Sequence, residues 1–371
     1  MTKIEWTNET WNPIIGCSKI SPGCDNCYAE KMAYRLSEIE RSKMINKGSK
    51  PSSMPYNHVI GKKKWTGKTH LVEDALEKPS RWKKPRMIFV CSMGDLFHES
   101  IPLEWIDQVM AIIGLSSQHT FQILTKRPER MYEYYQSREF GFIDGGEKEA
   151  VLFAKQLKEV QRNAGWFWDY SYDNDGIKDF DLIYEGKLPL PNLWLGVTAE
   201  NQEQADKRIP LLLQIPATVR FVSCEPLLNN INISPLLGEM PGGQRGLDWV
   251  IAGGESGNKA RPMHPDWVRS IRDQCKTANV PFFFKQWGKW RPEFKSKLNE
   301  RTCIVCGCTD FNACEGGCSW IEISNMEDIC SNCGHYKVRK FNDNLLAFAI
   351  GKKKSGRKLD GIEYNEFPKT N

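Results

Sequence analysis

Three cysteines, Cys17, Cys24 and Cys27, form a C-x6-C-x2-C run near the N-terminus, and seven more, Cys303, Cys306, Cys308, Cys314, Cys318, Cys330 and Cys333, crowd the C-terminal region. The opening residues Met1 to Trp6 lack the basic-then-apolar layout of a secretory leader, so a reducing cytoplasmic setting is expected. Clustered thiols there are read as metal or iron-sulfur ligands before disulfides. Three thiolates in one short loop can grip three corners of a 4Fe-4S cubane and leave the last iron without a protein ligand. A structural zinc wants four ligands, and only His58, His70 or His98, from afar, offers a fourth. The second group contains two knuckles, Cys303-x2-Cys306 and Cys330-x2-Cys333, separated by 23 residues, a zinc-ribbon spacing. Cys308, Cys314 and Cys318 exceed the needs of one zinc, and His335 is a further candidate, so zinc and a second iron-sulfur cluster both fit. Either would serve mainly to fold a small cysteine-rich insert. Cys91, Cys224 and Cys275 lie singly among apolar residues and read as small buried hydrophobes.

Positioning such ligands requires a scaffold, and the apolar pattern predicts an α/β one. Short runs rich in Val, Ile, Phe and Trp recur at Met87 to Cys91, Thr120 to Leu124, Leu193 to Val197, Val219 to Cys224, Trp249 to Ala252 and Pro281 to Phe284. They lack strict alternation, as strands buried on both faces of a parallel sheet do. Between some of them lie helical stripes: Trp105, Ile106, Val109, Met110, Ile112 and Ile113, and, after Pro265, Trp267, Val268, Ile271 and Cys275. With a first strand near Trp11 to Ile15 there are about seven strands, which predicts a partial or complete parallel (β/α) barrel.

Polar turns follow these strands, and in such folds the site is assembled at the carboxyl ends of strands. The turns carry Gly94 and Asp95, Lys126 and Arg127, Glu200 and Asn201, Glu225, Gly253, Gly254 and Glu255, and Lys285. The cations suit a phosphate or carboxylate, or else pair with Glu225 or Glu255; single polar residues can instead cap the following helix. Residues 1–297 are expected to form the barrel, with insertions near 40–85 and 134–190, the latter holding a helix from Lys148 to Arg162 and an acidic aromatic stretch from Trp166 to Asp181. A cysteine-rich insert at 298–338 and a C-terminal segment at 339–371 that packs back on the barrel complete the division. The 371 residues carry a net charge of +5, which permits a nucleic-acid partner. Basic runs at Lys62-Lys63-Lys64-Trp65 and Lys352 to Lys358 can meet a phosphate backbone, with Trp65 placed to stack on a base. No apolar run approaches the ~20 residues of a membrane helix.

The segment Trp11-Asn12-Pro13 through Cys17, then Gly23-Cys24-Asp25-Asn26-Cys27-Tyr28-Ala29, resembles the cluster loop of radical S-adenosylmethionine enzymes. The wider set of strand-end motifs, including Cys91-Ser92-Met93-Gly94-Asp95, Leu124-Thr125-Lys126-Arg127-Pro128, Thr198-Ala199-Glu200-Asn201, Cys224-Glu225-Pro226, Gly253-Gly254-Glu255-Ser256 and Lys285-Gln286-Trp287, is similar to a phage-associated branch of that superfamily. The superfamily's usual run is C-x3-C-x2-C with an aromatic before the last cysteine; here the first gap is six and Asn26 holds that place, with Tyr28 following instead. The resemblance implies a 4Fe-4S cluster on Cys17, Cys24 and Cys27, S-adenosyl-L-methionine on the open iron, and an electron donor such as flavodoxin or ferredoxin. It implies that Gly94 and Asp95 meet the methionine end of the cofactor, that Glu200 and Asn201 meet its ribose, and that Gly253, Gly254 and Glu255 approach the adenine or substrate. Lys126, Arg127, Glu225 and Lys285 are then the catalytic candidates. Within that branch the resemblance implies a nucleic-acid base as substrate, most concretely N-linked glycyl-thymidine isomerised to its C-linked form in phage DNA. A radical lyase repairing damaged DNA, and a non-catalytic nucleic-acid-binding protein stapled by zinc, are the competing readings.

Overall fold

The computed structural model describes residues 4–47, 54–137, 189–294, 303, 306, 308, 313–314, 317–320, 329–334, 336–342 and 345–369. The Lys148 to Arg162 helix, the Trp166 to Asp181 stretch and His335 lie outside the described residues. Seven parallel strands make one sheet in sequential order: β1 (Glu9–Trp11), β2 (Met87–Val90), β3 (Thr120–Thr125), β4 (Leu193–Thr198), β5 (Val219–Cys224), β6 (Trp249–Gly253) and β7 (Phe282–Gln286). Among the described residues β1 and β7 are its edges, and the sheet curls into a half-barrel. The β7 edge is covered by the chain's own end, where Asn365 bridges Phe283 and the Phe284 amide donates to the Tyr364 carbonyl.

The first strand lies earlier than the apolar pattern suggests. Pro13 has no amide hydrogen for a ladder, so the parallel strand stops at Trp11, and Ile14–Ile15 resumes in an antiparallel pair with His70–Leu71. The region near 40–85 therefore includes a strand that props the cysteine loop. The main helices are α1 (Tyr28–Lys47), α2 (Leu103–Leu115), α3 (Pro128–Ser137), α4 (Gln202–Leu213) and α5 (Pro265–Thr277). In α5, Pro265 takes the first position and the His264 ring accepts from the Asp266 amide. Among the described residues no helix is long and apolar enough to cross a membrane.

Both sheet faces are buried, which explains the strands' lack of alternation. Ile88, Ile123, Leu195, Val222 and Phe284 pack outward with the helices, whereas Phe89, Trp194, Phe221, Trp249 and Phe283 gather inside with Trp6. Trp6 lies 4.8 Å from Phe89 and 6.3 Å from Trp249, ring centre to ring centre, so aromatic side chains plug the inner face. Gly196 admits the Phe221 ring: a Cβ there would lie 2.5 Å from it. Gly196→Ala is expected to destabilise the fold by roughly 1–3 kcal/mol through overpacking. Denaturant unfolding checks this, and adding Phe221→Leu should return part of the loss.

After β7 the chain forms β8 (Arg291–Phe294), β9 (Val338–Asn342) and β10 (Leu345–Phe348), an antiparallel sheet in the order β8-β10-β9. The cysteine-rich segment is inserted between β8 and β9 and packs on Leu346, Phe348 and Ile350. Cys91, Cys224 and Cys275 are buried, as their apolar neighbours suggest.

Candidate metal centres and the mouth of the sheet

The N-terminal cysteine loop lies across the carboxyl ends of the parallel strands. Gly16 bridges Gly94 just beyond β2, placing Cys17 there; Gly16 adopts φ +100°, and a Cβ would lie 2.3 Å from the Lys68 carbonyl oxygen. A single 3-10 turn, Pro22–Cys24, carries the second cysteine, and the Cys27 amide donates to the Cys24 carbonyl (3.3 Å) immediately before α1. Tyr28, next in sequence, donates its hydroxyl to the Ser92 carbonyl oxygen (3.1 Å).

Three strand-end acids clamp this loop from three sides. Beyond β2, Asp95 accepts from the Phe97 amide, the Thr125 hydroxyl (2.7 Å), the Lys126 amide and Arg127 (3.1 Å). Arg127 in turn donates to the Ser18 hydroxyl (2.7 Å), to Glu99 (2.7 Å) and to Cys17 Sγ (3.7 Å). Beyond β4, Glu200 accepts from the Gly23 amide (3.0 Å) and from Arg208 (2.9 Å), their side chains 0% and 2% exposed. Burial works against the Glu200 carboxylate, but the Ser21 hydroxyl, Arg208, Lys126 and the Gly23 amide overcome it and hold the carboxyl below the usual range. Beyond β6, Glu255 accepts from Asn26 (3.0 Å) and from Arg261 Nε (2.9 Å) and Nη2 (2.6 Å), while Arg261 also reaches the Pro22 carbonyl.

Asp95, Glu200, Glu255 and Arg127 are thus engaged by other groups of the protein in this structure. Asn201 likewise serves as the cap of α4, its Oδ1 accepting from the Gln204 amide (3.0 Å). Gly94 meets backbone: a Cβ would lie 3.0 Å from the Gly16 carbonyl oxygen. Gly254 must be glycine because the Trp287 carbonyl oxygen would lie 2.1 Å from a Cβ, and Gly253 faces Lys285 and Glu225. Lys285 pairs with Glu225 (2.8 Å), whose other oxygen accepts from Gln286 (3.0 Å). Among the described residues Lys126 has no ion pair, although its charge reaches Glu200.

The sequence offered no direct pointer to Asn26 or Arg261 as clamps. Arg208 did leave a trace: it interrupts the apolar stripe Ala205, Ile209 and Leu212 of α4, and a charge there needs a buried partner.

Burial pushes the Cys17 thiol up to about 12, with Asp95 adding to the shift and Arg127 opposing it; a bound metal would displace that proton, since thiol ligands bind deprotonated. His98 is not a spare ligand, since its two ring nitrogens contact the hydroxyls of Ser18 (2.9 Å) and Ser100 (3.0 Å). His58 and His70 face each other, 5.9 Å between ring centres. The donor set therefore remains three half-buried thiols. Among the described residues these do not draw together as four ligands of one small ion would, whereas the C-terminal thiols do. Three thiols in one loop are the donor set that three corners of a cluster take, so the chemistry of the residues present fits that group.

In the C-terminal module Cys303, Cys306, Cys330 and Cys333 bring their sulfurs within 4.8 Å of one another, as do Cys306, Cys308, Cys314 and Cys330. The Cys306–Cys330 separation is 3.7 Å. A tetrahedral zinc site with bonds of ~2.3 Å has sulfur–sulfur edges of about 3.8 Å. The module can hold a metal ion, and the expected ligands of the two knuckles are brought together.

The basic runs are partly absorbed by the fold. Trp65 is partly buried against the cluster that contains Ala33 and Val59. Lys352 pairs with Glu5 (3.0 Å), and Lys354 donates to the Tyr336 hydroxyl (2.9 Å).

A family model described as "Protein of unknown function (DUF5131)" matches residues 1–368. No curated protein and no solved structure matches the chain.

Proposed function

Because the chain belongs to this family, whose description assigns no activity, we propose from the site itself that it is a radical S-adenosylmethionine enzyme acting on a nucleic-acid base. The observation that carries the reading is the three-cysteine loop held across the carboxyl ends of a parallel half-barrel sheet by Asp95–Arg127, Glu200 and Glu255–Arg261. Cys17, Cys24 and Cys27 would hold a 4Fe-4S cluster. Such a cluster with the sulfonium cofactor on its open iron supplies a hydrogen-abstracting carbon radical.

The protein's residues have the complementary tasks. The clamps fix the loop, and the aromatic plug of Trp6, Trp194 and Trp249 closes the inner face against water. Lys126 supplies a cation for an anionic substrate group, and the Glu225–Lys285 pair at the mouth can accept or donate a proton. Isomerisation of N-linked glycyl-thymidine to the C-linked form is the concrete reaction of this type, and mass spectrometry of nucleosides from treated DNA reads it.

The class of chemistry is tested first. Protein reconstituted anaerobically with iron and sulfide should be brown, and after reduction with dithionite it should release 5'-deoxyadenosine from S-adenosylmethionine. Replacing Cys17, Cys24 and Cys27 by serine should abolish both. A loop that takes up no iron, or a cluster and cleavage that survive the triple replacement, would overturn the proposal.

A further inference from the structure

The C-terminal thiols form two groups of four that share two sulfurs, and we infer that the module holds two tetrahedrally coordinated metal ions bridged by the Cys306 and Cys330 thiolates. One set is Cys303, Cys306, Cys330 and Cys333; the other is Cys306, Cys308, Cys314 and Cys330. Their shared edge, Cys306–Cys330, is 3.7 Å, and Cys314 lies 3.5 Å from Cys306 and 3.8 Å from Cys330. All three match the edge of about 3.8 Å that a tetrahedral zinc thiolate requires.

A single zinc accounts for only four of these six sulfurs. The chain's path gives the bridging pair a simple origin. Cys306 ends the first knuckle and Cys330 begins the second, so these two cysteines border the connection that carries Cys308 and Cys314. The thiols of Cys308 and Cys314 lie against the inner residue of each knuckle. The outer residues, Cys303 and Cys333, complete the first group alone.

Net charge does not oppose filling both positions. A dication with four thiolates carries a net charge of −2, and adding a second dication with two further thiolates leaves that charge unchanged. Binding two ions releases the protons of six thiols. Backbone amides already point at the sulfurs: the Cys330 amide donates to Cys303 Sγ (3.5 Å) and the Cys314 amide to Cys318 Sγ (3.3 Å). Cys318 lies 3.6 Å from Cys308 yet belongs to neither set, so it is assigned no ion. Soft thiolate donors in tetrahedral array suit zinc as well as iron-sulfur, and the bridged pair without inorganic sulfide is the zinc form tested below.

The test uses the full chain with Cys17, Cys24 and Cys27 replaced by serine, so that all bound metal belongs to the module. Loaded with zinc, it should contain two ions per chain by elemental mass spectrometry. Adding Cys308→Ser and Cys314→Ser should reduce this to one, whereas Cys318→Ser should leave two. Cadmium-113 substitution of the unmodified chain gives an independent reading should the variants fold poorly: two module resonances split by mutual coupling through bridging sulfur. One zinc in the parent, cadmium resonances without coupling, or iron and sulfide in the module would overturn the inference.

Discussion

Chelating the metal from the C-terminal module is expected to unfold the segment between β8 and β9 while the parallel sheet stays intact. The apolar support for that segment is small: Ile329, Leu346, Phe348 and Ile350 are its buried aliphatic and aromatic residues among those described, and cysteines supply the rest of the cluster. A structural zinc contributes about 10–16 kcal/mol of apparent binding free energy in small domains, well beyond what so few apolar contacts replace. The affected residues should gain fast amide exchange and proteolytic sensitivity, whereas β2 to β7 should keep their protection. Zinc should restore the original pattern. If the segment remained protected without metal, the cysteines would be packing elements and not its main support.

Removing the Glu200 carboxylate is expected to cost the parallel sheet about 3–5 kcal/mol, because Arg208 would be left buried with its charge uncompensated. Glu200→Leu tests this by denaturant unfolding, and the paired change Glu200→Leu with Arg208→Met should recover much of the loss. The same carboxylate holds Gly23, beside Cys24, so Glu200→Leu should also lower iron incorporation. The pH dependence has a definite sign. The folded carboxyl titrates below its ordinary value, so its stabilisation is fully present above the unfolded value of about 4.3 and fades as pH falls through the folded one. Glu200→Gln should flatten that acid limb. An unchanged limb would assign the acid sensitivity to other carboxylates.

Much of the scaffold is legible without coordinates. Six of the seven parallel strands fall on the apolar runs, with small shifts at their ends, because burial on both faces leaves a local mark in Val, Ile, Phe and Trp. The α5 start at Pro265 is equally local, since proline favours the first helical turn. The first strand is displaced because the pairing of Ile14–Ile15 depends on His70–Leu71, far along the chain.

The sequence alone determined the inventory: which thiols cluster, which segments must be buried, and which polar residues stand at strand ends. Tertiary structure decided their partners. Asp95 is drawn to Arg127, which holds Ser18, while Glu200 is drawn to Gly23 and Glu255 to Asn26, and Cys308 and Cys314 join the two knuckles. Residue type fixes which contacts a group can make, whereas three-dimensional proximity fixes which one it does make. The clamps join the loop to groups from 109 residues away (Ser18 and Arg127) to 229 (Asn26 and Glu255), and no short-range spacing encodes such a meeting.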